Sequence, residues 1–259
     1  MTKKQIRRRQ IIEVLMERNG QTIKELALEL KVSEMTIRRD LQVLEANGVV
    51  KLVHGAAIYN PDNIDSRIVK EYDLLTAKNI NNERKNDIAK YAAGLIDDND
   101  FISIDIGSTT ERVIPNVAAD RKFSVLAFTA NAMLPVLSRS NIKLLFGGGE
   151  YRKDTMTFVS EYTLNLIRET RPDKVFLSAA GIDENFGITC VNHYEGPFKK
   201  SLIESAKEKI LLVDSSKFGK VEACYFADLD QVDMIVTDRQ IDEDWVNMIE
   251  KANIKLIRV

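Results

Sequence analysis

The sequence predicts an α/β chain in two parts, a small helical head that ends in a β-hairpin and a larger body built on a mainly parallel sheet. Three observations predict it: three amphipathic helical stretches and a hairpin within the first 59 residues, seven apolar runs alternating with helical stretches after residue 100, and a charge that changes sign between the two. At 259 residues the chain exceeds the usual size of one core, so two domains are the prior. The expected boundaries are a head at 1–59, a linker at 60–81 and a body at 82–259.

The composition, 44% hydrophobic and 29% charged with no low-complexity tract or repeat of fixed period, excludes disordered and repetitive classes. No apolar run approaches the ~20 residues of a membrane span, and Met1-Thr2-Lys3-Lys4 leads into a charged amphipathic segment rather than a signal sequence. The expectation is a cytoplasmic chain with no membrane partner. Cys190 and Cys224 lack CxxC spacing, so they read as buried thiols rather than a disulfide framework or a metal site. Residues 1–59 carry 11 Lys/Arg against 7 Asp/Glu, a net of +4, and the remainder is −6. A basic head on an acidic body is the balance expected if only the head approaches phosphate.

In the head, a first helix over Lys3–Arg18 shows Ile6, Ile11, Ile12, Leu15 and Met16 on one side, and Asn19-Gly20 stops it. A second runs from Thr22, an N-cap with Glu25 three positions on, to Leu30. Ser33 caps a third, Glu34 to Ala46, after the tight Lys31-Val32-Ser33 connection of a helix-turn-helix; this third helix is the one such a unit lays in the major groove. Val49–Val53, His54-Gly55 and Ala56–Tyr59 form a hairpin, or wing, whose Lys51 and His54 suit phosphate oxygens or the minor groove.

Arg8, Ile12 and Met16 fall four apart, followed after a gap by Ser33-Glu34-Met35-Thr36-Ile37-Arg38-Arg39-Asp40-Leu41 and, in the wing, by Val53-His54-Gly55-Ala56. This wording and spacing resemble the signature of the DeoR family of bacterial regulators, which implies a winged helix-turn-helix that binds double-stranded operator DNA. Ser33 and Thr36 stand where a helix N-terminus meets phosphate, and Glu34, Met35, Thr36 and Arg39 are positioned to touch base edges. Arg38 and Asp40 read either as part of that surface or as an ion pair within the molecule.

Residues 60–81 contain Pro61 and broken periodicity, with one short helix expected around Ser66–Leu75. A helix from Asn82 to Ile96 opens the body. The apolar runs Phe101–Ile106, Phe123–Phe128, Ile142–Phe146, Lys174–Ser178, Lys209–Val213, Met234–Thr237 and Lys255–Val259 lack polar alternation, as strands covered on both faces do. Such sheets bind ligands beyond the carboxyl ends of their strands. There the sequence places Asp105, Gly107, Ser108, Thr109 and Thr110, then Thr129, then Gly148 and Gly149 with Arg152 and Lys153, then Asp183, then Asp214 and Lys217, and a helical stretch supplies Glu195 and Lys199. Gly107–Thr110 reads as a phosphate cradle or as an ordinary glycine turn with a hydroxyl cap.

The family resemblance extends through Asp105-Ile106-Gly107-Ser108-Thr109, Gly148-Gly149, Asp173-Lys174, Gly181-Ile182-Asp183, Gly187 and Asp214-Ser215-Ser216-Lys217-Phe218-Gly219. It implies a body related in fold to ribose-5-phosphate isomerase, a phosphorylated sugar or derivative as effector, and repression as the usual sign. Three positions depart from the family pattern: Thr129-Ala130-Asn131 for Thr-Asn, Ser160 for Gly, and Asp98-Asn99 for Asp-Gly.

The competing class is an isomerase with a DNA-binding head. Ala180-Gly181-Ile182-Asp183-Glu184 stands where the related isomerases carry Asp-Gly-Ala-Asp-Glu, so the first acid is missing and sensing is favoured over turnover. His54 and His193 have no ligand spacing and build no hydrolytic triad, so no metal or cofactor is expected. The expectation is a homo-oligomeric repressor of a carbohydrate-utilisation operon, released from its operator when the effector binds.

Overall fold

The computed structural model describes residues 3–18, 20–46, 49–53, 56–59, 74, 77 and 80–259. It divides into two compact units, Met1–Lys70 and Glu71–Val259. The tip of the wing, His54 and Gly55, lies outside the described residues, as does the helix expected around 66–75 apart from Leu74. Among the described residues no helix is long and apolar enough to cross a membrane.

The first unit contains α1 (Lys3–Arg18), β1 (Gln21–Thr22), α2 (Ile23–Glu29), α3 (Glu34–Ala46), β2 (Val50–Val53) and β3 (Ala56–Tyr59). Gly20 follows α1 at φ +131°, a conformation open to glycine. The start of α2 is a complete capping box, with the Glu25 N–H donating to Thr22 Oγ1 and the Thr22 N–H to Glu25 Oε2. Ile11, Leu15, Ile23, Leu26, Ile37, Leu41, Leu44, Val50 and Ala57 form the apolar interior. β1, which the periodicity does not reveal, pairs with β3 and makes the wing three-stranded in the order β1-β3-β2.

The second unit is wound on seven parallel strands in the order β15-β14-β12-β9-β4-β5-β6. They are β4 (Phe101–Ile104), β5 (Phe123–Ala127), β6 (Ile142–Phe146), β9 (Lys174–Leu177), β12 (Glu208–Leu212), β14 (Met234–Thr237) and β15 (Lys255–Arg258). Each falls on one of the seven apolar runs. Period-2 alternation splits the interior in two: Val175, Leu177 and Leu211 belong to one core, Phe176, Ile210 and Leu212 to the other. One core takes in α4 (Asn82–Ala93), α5 (Val113–Asn116) and α6 (Ala130–Leu137), the other α7 (Glu161–Glu169), α8 (Glu195–Ser205) and α9 (Glu243–Lys251).

A hairpin of β7 (Glu150–Arg152) and β8 (Thr157–Val159), and an antiparallel sheet of β10 (Gly181–Asp183), β11 (Gly187–Cys190) and β13 (Cys224–Ala227), complete the unit. The chain adds β5 and β6 on one side of β4, then crosses to β9, β12, β14 and β15 on the other. The crevice where direction switches therefore opens between the ends of β4 and β9. The described part of the expected linker joins this unit: Leu74 is buried, its N–H donating to Asp154 O at 2.9 Å.

Candidate functional sites

In the first unit the start of α3 is held by Ser33, whose Oγ accepts from the Thr36 N–H at 3.2 Å and meets Thr36 Oγ1 at 2.8 Å. Glu34, Met35, Arg38 and Arg39 are exposed along α3, Met35 at 60%, and Lys51 is exposed on β2. Arg38, Arg39 and Lys51 form no ion pair among the described residues. Asp40 belongs to the interior instead. It is 2% exposed and pairs with Arg7 at 2.6 Å and Arg8 at 2.9 Å, so of its two readings the ion pair within the molecule holds, with α1 as the source of its partners. A carboxylate this buried needs charged donors, and Arg7 and Arg8 of α1 supply both, so the pair ties α1 to α3.

In the second unit the loops after β4, β9 and β12 meet at the switch point. A cleft of about 480 Å³, counted to its open mouth, is lined there by Ser108, Thr109, Ser178, Ala180, Asp214 and Lys217, with Glu195 and Lys199 from α8 and Lys85 from α4. Beneath it Lys199 Nζ, 1% exposed, donates to Asp105 Oδ2 at 2.5 Å and to Ser178 O at 3.0 Å, while Ser178 N–H donates to the same carboxylate oxygen at 3.0 Å. The second oxygen, Asp105 Oδ1, is buried without a hydrogen-bond partner among the described residues. Gly107 lets the two loops touch, because a Cβ there would lie 2.2 Å from Ser178 Oγ.

The charges in the cleft are set by burial. It raises the Glu195 carboxyl to about 7, against the attraction of Lys199 and a hydrogen bond from Asn192. It works against the Lys199 ammonium as well, but Asp105 and then Glu195 outweigh it, and the Lys199 pKa stands above the usual lysine value. Burial lowers Lys85 to about 8, with Asp214 opposing and Lys217 and Arg112 adding to the shift. Lys85 Nζ donates to Ala77 O at 2.6 Å. Among the described residues the Lys217 ammonium makes no ion pair or hydrogen bond, its backbone N–H donating to Asp214 O at 3.0 Å, and the Ser108 and Thr109 hydroxyls make no hydrogen bond. The arrangement offers donors and cations to a small polar anion.

Residues 80–239 match the DeoR C terminal sensor domain, and residues 7–62 match the DeoR-like helix-turn-helix domain. The chain belongs to the DeoR family. This DeoR-family chain is a DNA-binding transcription regulator. It is 30% identical over 99% of both chains to the deoxyribose operon repressor of Escherichia coli strain K12, and 36% identical over 93% of both to the lactose phosphotransferase system repressor of Lactococcus lactis subsp. lactis. These relatives are named as repressors, not as enzymes. Among solved structures it resembles ribose 5-phosphate isomerase A of Methanocaldococcus jannaschii at 20% identity, covering 53% of this chain and 55% of that one with a TM-score of 0.38, too weak a likeness to argue from.

Of the sensor residues expected from the sequence, the DeoR-family cleft gathers Ser108, Thr109, Glu195, Lys199, Asp214 and Lys217 at its wall, with Asp105 and Gly107 beneath or beside it. The others go elsewhere. Thr110 is fully buried and spends its hydroxyl on Asp105 O and Gly107 O, and the chain behind it forms only a 3-10 turn running into the four-residue α5, so no long helix points at a phosphate there. Thr129 caps α6, and Asp183 Oδ1 accepts the Asn185 and Phe186 N–H groups of its own hairpin. Gly148 O accepts from Ser160 and Thr163, and Gly149 at φ +146° passes so close to Val159 that a Cβ would lie 2.4 Å from its carbonyl oxygen. Arg152 pairs with Glu150 and lies over the Tyr194 ring at 5.6 Å, and Lys153 is exposed in the β7–β8 turn.

The three departures also find local reasons. Ser160 caps α7; Asn99 takes φ +69°, which asparagine tolerates best after glycine; and Asn131 donates to Glu111 at 2.5 Å. Lys85 was not anticipated. Its signal was present: with Ile88, Ala89, Ala92 and Ala93 it completes the buried stripe of α4, and a lysine on such a stripe needs a reason.

Proposed function

We propose that this regulator represses a carbohydrate-utilisation operon and leaves its operator when a phosphorylated sugar or sugar derivative fills the cleft at the β4–β9 switch point. Double-stranded operator DNA meets Ser33, Glu34, Met35, Thr36, Arg38 and Arg39 on α3, with Lys51 of the wing on phosphate. A homo-oligomer presents two such units to paired half-sites.

The carrying observation is the cleft wall, where Lys217, which forms no close ion pair among the described residues and attracts Glu222 at longer range, and the buried Lys85 stand beside the Ser108 and Thr109 hydroxyls, which make no hydrogen bond among those residues. Cations satisfy a phosphate, and hydroxyls with the Glu195 carboxyl satisfy a polyol. The named relatives, repressors of a deoxyribose operon and of a lactose phosphotransferase system, support sugar chemistry as the input. Ala180 at the wall offers no acid for proton transfer, which favours binding without turnover.

The test is a thermal-shift screen of sugar phosphates against their unphosphorylated parents, followed by operator anisotropy with any compound that stabilises. A true effector at ~100 times its Kd raises stability by about 2.7 kcal/mol, releases the duplex, and fails to stabilise Lys217→Ala. If no phosphorylated sugar stabilises the chain, or Lys217→Ala responds undiminished, the assignment of the cleft is wrong.

A further inference from the structure

The two cysteines lie far apart in sequence and side by side in the fold. Cys190 on β11 and Cys224 on β13 are direct partners in the antiparallel register. Residues so paired have Cα atoms about 4.5–5.5 Å apart, inside the range a disulfide spans. Both thiols are free and buried; Cys190 lines the cleft, and Cys224 beside it is 7% exposed against 2% for Cys190, which gives a small oxidant a way in to Cys224. Cys224 Sγ rests against the first turn of α8, where a Cβ on Gly196 would lie 2.8 Å from it, and a helix N-terminus favours a thiolate.

The geometry points to Cys190 and Cys224 as a reversible dithiol–disulfide pair, oxidised by hydroperoxides. Neither the function proposed above nor any metal enters the inference; among the described residues no cluster of His, Cys, Asp and Glu could hold one.

The two sulfurs have different parts. Hydrogen bonds from Cys190 and from His193, together with the His193 charge, lower the Cys224 thiol against the effect of burial. The contact with Cys224, and then burial, raise Cys190. Cys224 is therefore the attacking thiolate. It takes the terminal oxygen of the hydroperoxide: an S–O bond forms, the O–O bond breaks, and the alkoxide or hydroxide leaves with a proton. The Cys190 sulfur then displaces hydroxide from the Cys224 sulfenic acid, and the S–S bond forms as the Cys190 proton leaves with that hydroxide as water. The thiol pair gives up two electrons and the O–O bond accepts them. A thiol reductant restores both thiols by exchange.

The chain has two cysteines, so the count is unambiguous. The folded full chain is treated with hydrogen peroxide, unfolded, alkylated and weighed. The expected result is that alkylatable thiols fall from two to none, the mass drops by two hydrogen atoms, one peptide links Cys190 to Cys224 within a single chain, and dithiothreitol returns both thiols. Cys190→Ser should stop at an oxygen adduct on Cys224 that dimedone traps, whereas Cys224→Ser should leave Cys190 reduced. Two thiols surviving peroxide, sulfinic acids in place of the link, a bond only between chains, or Cys190 oxidising as fast in Cys224→Ser would each overturn the proposal. The measurement on the native chain stands even if a variant fails to fold.

Discussion

The two units hold their cations in opposite ways. In the reading unit Arg38, Arg39 and Lys51 stand in water without ion pairs among the described residues, whereas the sensor unit buries Lys85 and Lys199 to 3% and 1% exposure. An exposed arginine gains from a partner that brings a continuous line of phosphates and releases counterions along it. A buried lysine is already stripped of water and gains most from a small anion entering its low-dielectric surroundings. The contrast between solvated and buried charge separates a surface suited to a polymer from a cleft suited to a small anion.

The sharpest way to break that contrast is to remove a buried cation. Lys199→Ala leaves Asp105 and Glu195 in the interior without their shared partner. It should cost about 3–5 kcal/mol of sensor-unit stability. Urea denaturation followed at the single tryptophan, Trp245, which packs on Phe218 in the sensor unit, reads that loss directly. A midpoint unchanged from the parent chain would show that the Lys199 cluster does not hold the loops. The reading unit has one comparable feature, Asp40 between Arg7 and Arg8. Asp40→Ala should destabilise that unit by about 2 kcal/mol, seen as an earlier loss of helical circular dichroism. The Trp245 transition should stay in place, and a shift of similar size there would mean that the units do not unfold separately.

The same contrast explains what was legible beforehand. The three helices of the head follow from local 3.6-residue periodicity and caps such as Thr22 with Glu25, all within a few residues of one another. The five inner strands are legible because burial on both faces leaves no polar alternation, whereas the edge strands β6 and β15 keep exposed positions and are legible from their apolar residues alone. The partners of Asp40 lie 32 and 33 positions away, beyond any local pattern. Strand order is likewise invisible in the sequence, and it decides which loops meet. β12, β9 and β4 are neighbours, so Asp214, Ser178 and Ser108 converge, whereas β6 lies at the sheet edge and carries Gly148, Gly149, Arg152 and Lys153 away. The antiparallel β10-β11-β13 sheet escaped because β11 finds β13 only across a helix and a strand of the main sheet, and the β10–β11 hairpin that precedes it has a three-residue first strand.

On the exposed side, Arg39→Ala should weaken operator binding by about 1–3 kcal/mol and relax preference at one base position if the guanidinium reads a base. Fluorescence anisotropy across a salt series distinguishes the contact types, since loss of a phosphate contact lowers the salt slope by about one and affects all sequences alike. Thermal stabilisation by an effector should be untouched in this variant. An unchanged affinity and slope would remove Arg39 from the interface.

The finest test concerns the pH at which the cleft loses its charge. Because burial lowers Lys85 to about 8 while an unfolded lysine titrates near 10.4, the neutral amine supports folding above the unfolded value. That support is lost as pH falls through the folded one. An anionic ligand has the opposite preference, for the ammonium. Its affinity should therefore fall as pH rises through about 8, by up to about tenfold per unit, since each unit is worth about 1.4 kcal/mol. Glu195, raised by burial to about 7, ionises just below and acts in the same direction by adding negative charge to the wall. On the acid side a sugar phosphate loses its second charge below pH ~6, so calorimetric affinity should peak between that value and neutrality. Lys85→Met should flatten the limb above 8 and leave the one near 7 in place. Affinity that rises above pH 8 would show that the anion binds away from Lys85, and the buried cation would then belong to the fold rather than to the cleft.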